Sequence, residues 1–123
     1  MNDWKWIKMI SNDIVYDYTD MYRIYRDGRV ESVKRYRVKQ RFLKEITHRD
    51  GYKQVGLSKN GKEKKYRIHR IIAIHFIPNP DNFPEVDHIN QVKDDNSIQN
   101  LRWCSHSTNM RHITKRNKNL KWC

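Results

Sequence analysis

Residues 85–112, EVDHINQVKDDNSIQNLRWCSHSTNMRH, decide how this chain folds. Glu85-Val-Asp-His-Ile89 reads as a short strand with Val86 and Ile89 available for packing. Asn90 to Ser97 is polar and suits a loop, after which Ile98, Leu101 and Trp103 lead into a second strand. Ser105 or Ser107 is placed to cap a following helix, its hydroxyl accepting a free N–H of the first turn. Asn109 then falls in that turn, its side chain leaning back toward the helix start, where a phosphate is also favoured. Thirteen positions separate Asp87 from Asn100 and 22 separate it from Asn109. Those gaps suit a hairpin with a broad loop and then one helical turn, a unit that gathers Asp87, His88, Asn100 and Asn109 around one cation.

The residue types set the chemistry. Asp87 and Asn109 offer oxygen ligands, which match a hard cation such as Mg²⁺ and leave positions for water and phosphate oxygens. Neighbouring strand side chains diverge, so a cation at Asp87 and the His88 imidazole take opposite sides of a phosphodiester, as in-line displacement requires. With an ordinary pKa of about 6.5, His88 is able to take a proton from water. Asn100 is expected to accept a hydrogen bond from the other ring nitrogen. A plainer reading stays open: Asp87-His88 as surface polarity and Asn100 as a turn residue. Cys104, His106, His112 and Cys123 form a zinc set by type, but their spacing fits no common zinc pattern.

Around this unit the chain is short and basic. Its 123 residues allow one compact domain, or a small catalytic module with an appended lobe. Lys plus Arg number 26 against 14 Asp plus Glu, a net charge of +12 that points to a polyanionic partner. No apolar run reaches the ~18 residues of a membrane span, and MNDWKWIKMISND lacks the apolar core of a signal peptide. With two cysteines and no C-x-x-C, a disulfide scaffold is excluded and an intracellular location expected.

Two hairpins are predicted. Met21–Tyr25 and Arg29–Val33 flank Asp27-Gly28, and Tyr52–Leu57 and Lys64–Ile68 flank Asn60-Gly61. Between them, KRYRVKQRFLK (34–44) sets Arg35, Arg37, Lys39 and Arg41 at every second position. On a strand these form one cationic face for phosphates; in a loop the alternation means little. Lys59, Lys62, Lys64, Lys65 and Arg67 add to the basic surface. Trp4, Trp6 and Tyr25 are expected to pack in the core. His69 to Phe76 has helical apolar spacing and stops before Pro78 and Pro80. His69 and His75 read as structural or phosphate-contacting rather than as ligands. Asn79 to Pro84 forms a rigid connector into the strand at Glu85.

Four stretches, IHRIIAIHFIPNP from Ile68, PEVDHIN from Pro84, NLRW from Asn100 and TNMRH from Thr108, resemble the HNH endonucleases, closest to the homing-type enzymes of phages, large DNA viruses and mobile introns. Trp4-Lys-Trp-Ile through Arg29-Val-Glu-Ser resembles the nuclease-associated modular domain that often precedes them. The resemblance implies an α+β fold: antiparallel N-terminal strands with a short helix, then a ββα-metal module. It divides the chain into a DNA-binding region at 1–66, a nuclease module at 67–114 and a basic tail at 115–123. It implies Asp87 and Asn109 as ligands of Mg²⁺ or Mn²⁺, His88 as general base and Asn100 as the residue orienting it. Products would carry a 5′-phosphate and a 3′-hydroxyl. His112 either contacts the scissile phosphate or closes the motif. Double-stranded DNA is the expected partner, held by Arg35, Arg37, Lys39, Arg41, Lys64, Arg67, His112, Lys115 and Arg116, by a monomer or a homodimer. Larger relatives append a helical DNA-reading module, whereas this sequence ends at Cys123, so specific recognition is expected to come from the N-terminal strands, to come from a partner, or to be weak. The competing expectation is a basic DNA-binding protein without cleavage.

Overall fold

The computed structural model describes residues 3–11 and 13–106. Among these residues, four antiparallel sheets surround one helix. β1 (Trp4–Trp6), β4 (Tyr22–Tyr25), β5 (Val30–Ser32) and β6 (Arg41–Phe42) form a sheet in the order β1-β4-β5-β6. β2 (Lys8–Ser11) and β3 (Ile14–Asp17) make a separate hairpin, and β7 (Ile46–Thr47), β8 (Lys53–Lys59) and β9 (Lys62–Arg67) make a meander. α1 (Ile68–Phe76) follows β9 directly; β10 (Glu85–His88) then pairs with β11 (Leu101–Cys104).

The two predicted hairpins form where their turn residues require. Asn60 (φ 54) and Gly61 (φ 76) both take the left-handed conformation, which a primed two-residue turn demands and which Asn and Gly tolerate best. Ile68, Ile71, Ile72 and Ala73 of α1 are fully buried in one cluster with Ile7, Met9, Tyr18, Ile24 and Val30 of the N-terminal strands and turns and with Val55, Leu57, Val86 and Leu101. One core therefore runs through both the N-terminal strands and the C-terminal hairpin. Each fully buried aliphatic chain contributes about 1.5–3 kcal/mol by leaving water. Two hydrogen bonds fasten the chain start to the helix: His75 Nε2 accepts from the Lys8 backbone N–H at 3.0 Å, and Lys5 Nζ donates to the His75 carbonyl at 2.7 Å.

Two expectations are corrected. Residues 34–44 are not a continuous strand. Arg35 and Val38 form an isolated bridge around a tight turn in which Arg37 has φ 59, and only Arg41–Phe42 is extended. The Arg35 guanidinium turns inward, donating to the carbonyls of Met21 (3.2 Å) and Val33 (2.8 Å) and to the Ser32 hydroxyl (3.2 Å). Chain reversal at 36–37 thus separates four cations that a strand would have aligned. Nor do Trp4, Trp6 and Tyr25 enter the core. They are half-buried, and the Arg23 guanidinium stacks 4.5 Å from the Trp4 ring and 5.3 Å from the Trp6 ring, a cation–π arrangement that keeps the rings at the surface.

Candidate active site on the hairpin

β10 and β11 pair in register, Asp87 opposite Arg102 and His88 opposite Leu101. The pleat sends consecutive side chains to opposite faces. Val86, His88, Leu101 and Trp103 thus share the face toward α1, and the Trp103 indole N–H donates to the Ile77 carbonyl at the end of the helix (3.1 Å). Asp87 shares the other face with Arg102, whose guanidinium lies 3.9 Å from the carboxylate. Asp87 and His88 are each only 4% exposed. Such burial argues against plain surface polarity, because buried polar groups persist only with partners.

The loop between the strands is built on amides. Asn100, at the end of a 3₁₀ turn (Ile98–Asn100), is buried. Its Oδ1 accepts from the Asn90 backbone N–H (3.0 Å), and its Nδ2 donates to Asn90 Oδ1 (2.9 Å) and to the Asp95 carbonyl (2.8 Å). Asn90 also donates to the Asp95 carboxylate (2.8 Å), and the Ser97 hydroxyl donates to the same group (2.7 Å). These hydrogen bonds hold the Asp95 carboxyl below its ordinary range. Asn100 is therefore the brace of the loop, and the expected partnership with His88 falls instead to Asn96. Asn96 Oδ1 lies 2.7 Å from His88 Nε2. A carbonyl oxygen there keeps the proton on Nε2, which makes Nδ1 the basic nitrogen of the neutral ring.

Neighbouring elements close on the same ring. The His69 ring, from the first turn of α1, lies 4.7 Å from that of His88, and the Tyr52 ring lies 5.5 Å from it. Tyr52 is flanked by the Arg67 guanidinium at 4.9 Å and the Lys93 ammonium at 5.1 Å. Arg67 bonds the Asp50 carboxylate at 2.6 Å, holding that group far below the ordinary carboxylate range. Burial, with the positive surroundings of His88, Arg67 and Arg70, pushes the His69 pKa down to about 3, so this ring stays neutral. Sequence does not single out Tyr52, Lys93 or Asn96. Nothing in the pattern of a polar loop or a strand edge marks which side chain folds back onto a distant histidine.

The remaining predicted DNA-binding residues are spread out. Lys64, on β9, sits over the Tyr16 ring at 4.2 Å, and Arg37 stacks on the exposed Tyr36 at 5.2 Å. Lys39 and Arg41 are exposed. Asn109, His112, Lys115 and Arg116 lie outside the described residues, as does the expected helix beyond His106. No three His, Cys, Asp or Glu converge among the described residues. Among the described residues Asp87 offers one carboxylate, the kind of oxygen donor that a hard divalent cation takes. No helix of the described residues is long and apolar enough to cross a membrane.

The HNH endonuclease family model matches residues 66–111, the segment that carries α1 and the β10–β11 hairpin. The chain is 38% identical over 113 residues to an uncharacterised HNH endonuclease of Acanthamoeba polyphaga mimivirus, covering 92% of this chain and 33% of the relative. It is 34% identical over 114 residues to DNA endonuclease I-HmuI of Bacillus phage SP01, covering 93% of this chain and 59% of that protein. The solved structure of the HNH homing endonuclease I-HmuI superposes with a TM-score of 0.71 at 32% identity, over 94% of this chain and 60% of that one. The chain thus spans between a third and three-fifths of the relatives named here.

Proposed function

We propose that this chain is a metal-dependent DNA endonuclease of the homing type, hydrolysing phosphodiester bonds to 5′-phosphate and 3′-hydroxyl ends. The observation that carries the reading is the buried Asp87-His88 pair, with the His88 ring held by Asn96 in a chain 34% identical to a DNA endonuclease. His88 Nδ1 takes the proton of the attacking water, while Nε2–H stays on Asn96. Asp87 and Asn109 are the residues that would hold Mg²⁺ or Mn²⁺. When bound, such an ion supplies Lewis-acid stabilisation of the leaving 3′ oxygen. Asn100 braces the loop that carries Asn96.

Residues 1–66, with the likeness to a nuclease-associated modular domain, act as the DNA-binding region ahead of the nuclease module at 67–114, and the tail at 115–123 adds charge for phosphates. Arg37, Lys39, Arg41, Lys64 and Arg67, with Lys115 and Arg116, supply charge to double-stranded DNA. Cleavage is tested by relaxation of supercoiled plasmid with Mg²⁺, with EDTA, and with His88→Ala. The expected result is cutting in the first case alone. Equal cutting in all three rejects the mechanism, and none in any rejects catalysis in favour of a basic DNA-binding protein. Asp87→Ala should abolish cleavage yet keep DNA binding at low salt, measured by fluorescence anisotropy.

A further inference from the structure

We propose that Tyr52 and His69 are positioning residues: a clamp that fixes the orientation of the His88 imidazole. The proposal rests on the reading of His88 as the base. The three rings form a closed triangle, His69–His88 at 4.7 Å, Tyr52–His69 at 5.1 Å and Tyr52–His88 at 5.5 Å between centroids. Each ring touches the other two, so the His88 ring cannot turn about its Cβ–Cγ bond without displacing a neighbour. Asn96 holds its Nε2 edge at 2.7 Å. Faces and edge are thus fixed from three different places: the residue just before β8, the first turn of α1 and the loop before β11.

Neither clamp residue is explained by packing alone. Tyr52 is loaded by cations that belong to two separate segments. Arg67 is anchored on the Asp50 carboxylate at 2.6 Å, and Lys93 donates to the Asp50 carbonyl at 2.7 Å, so the turn at Asp50 and the loop at Lys93 press on one ring. His69 is 6% exposed, and its Nδ1 has no hydrogen-bond partner among the described residues. An apolar side chain would avoid that cost. A flat ring there, however, lies against both the His88 and the Tyr52 rings, a contact that an aliphatic chain would not reproduce. A misplacement of about 1 Å in a reacting group lowers a rate by as much as ~10²-fold, which is the scale on which a clamp matters.

Two substitutions separate a ring from mere volume. His69→Leu fills the space without a flat face, and His69→Phe restores one. At saturating DNA in single turnover, His69→Leu should slow cleavage about 10–100-fold with DNA affinity within about twofold of the parent, and His69→Phe should recover most of the rate. Independently of cleavage, the exchange-protected His88 Nε2–H proton should be visible by NMR in the parent and in His69→Phe, and broadened away in His69→Leu. Equal rates and an unchanged proton signal in His69→Leu overturn the clamp, as does a rate loss that only follows weakened binding. If the parent cleaves nothing, the reading of His88 as base fails, and the proton signal still decides the clamp.

Discussion

Two asparagines four positions apart in one polar loop divide their work. Asn100 spends both amide groups on the loop itself, on Asn90 and Asp95, while Asn96 faces the His88 ring. Asn100→Ala removes the donor and acceptor that satisfy a buried turn, so it should destabilise the fold by about 1–3 kcal/mol, read from urea unfolding. Asn96→Ala should leave stability within about 1 kcal/mol, because its hydrogen bond lies in a partly exposed loop. It should still lower the single-turnover cleavage rate about 10–100-fold as the ring edge is released. The reverse pattern, with Asn100→Ala stable and slow, would return the orienting role to Asn100. Sequence marks both residues as loop amides near a histidine. Which of them turns back depends on the left-handed kink at Gln91 (φ 64) and on the Asp95 hydrogen bonds, neither of which leaves a periodic trace.

At the level of elements, the hairpins are legible because Asp27-Gly28 and Asn60-Gly61 carry their geometry in their own conformational preferences. The helix from Ile68 is legible because its apolar spacing and the following prolines are local signals. The segment 34–44 is not, because alternation of cationic and apolar residues is also compatible with a turn, and Arg35 can satisfy three acceptors without leaving its own neighbourhood. The turn geometry divides its basic residues into two groups that behave differently. Arg37, Lys39 and Arg41 are free to meet phosphates, and replacing all three by Ala should flatten the slope of log affinity against log salt by roughly 0.9 for each phosphate no longer neutralised. Arg35→Ala should leave that slope unchanged and lower the unfolding midpoint instead, since it strips hydrogen bonds from two carbonyls. A slope unaffected by the triple change would remove this turn from the DNA-binding surface.

For the whole molecule, the single core makes the β10–β11 hairpin dependent on the N-terminal strands. Ile7, Ile24 and Val30 share one buried cluster with the helix and with Val86 and Leu101. That helix carries two histidines, His69 buried and His75 half-buried. Desolvation lowers both: His69 to about 3, and His75, which accepts from the Lys8 N–H, below its ordinary value. A histidine whose folded pKa is depressed is protonated first in the unfolded chain, so its stabilising effect is complete above about 6.5 and is lost as pH falls toward the folded value. Depressed carboxylates such as Asp50, Asp95 and Glu31 act lower, as pH falls below their unfolded values of about 4. The window from about pH 6.5 to about 4.5 therefore isolates the histidines. Across it, His69 alone should cost about 2–3 kcal/mol of unfolding free energy, roughly two pH units at about 1.4 kcal/mol each. Urea unfolding at the two pH values should show this loss in the parent and a pH dependence smaller by that amount in His69→Phe, which has no proton to gain. An identical pH dependence in parent and variant would mean that the His69 ring already meets water in the folded chain.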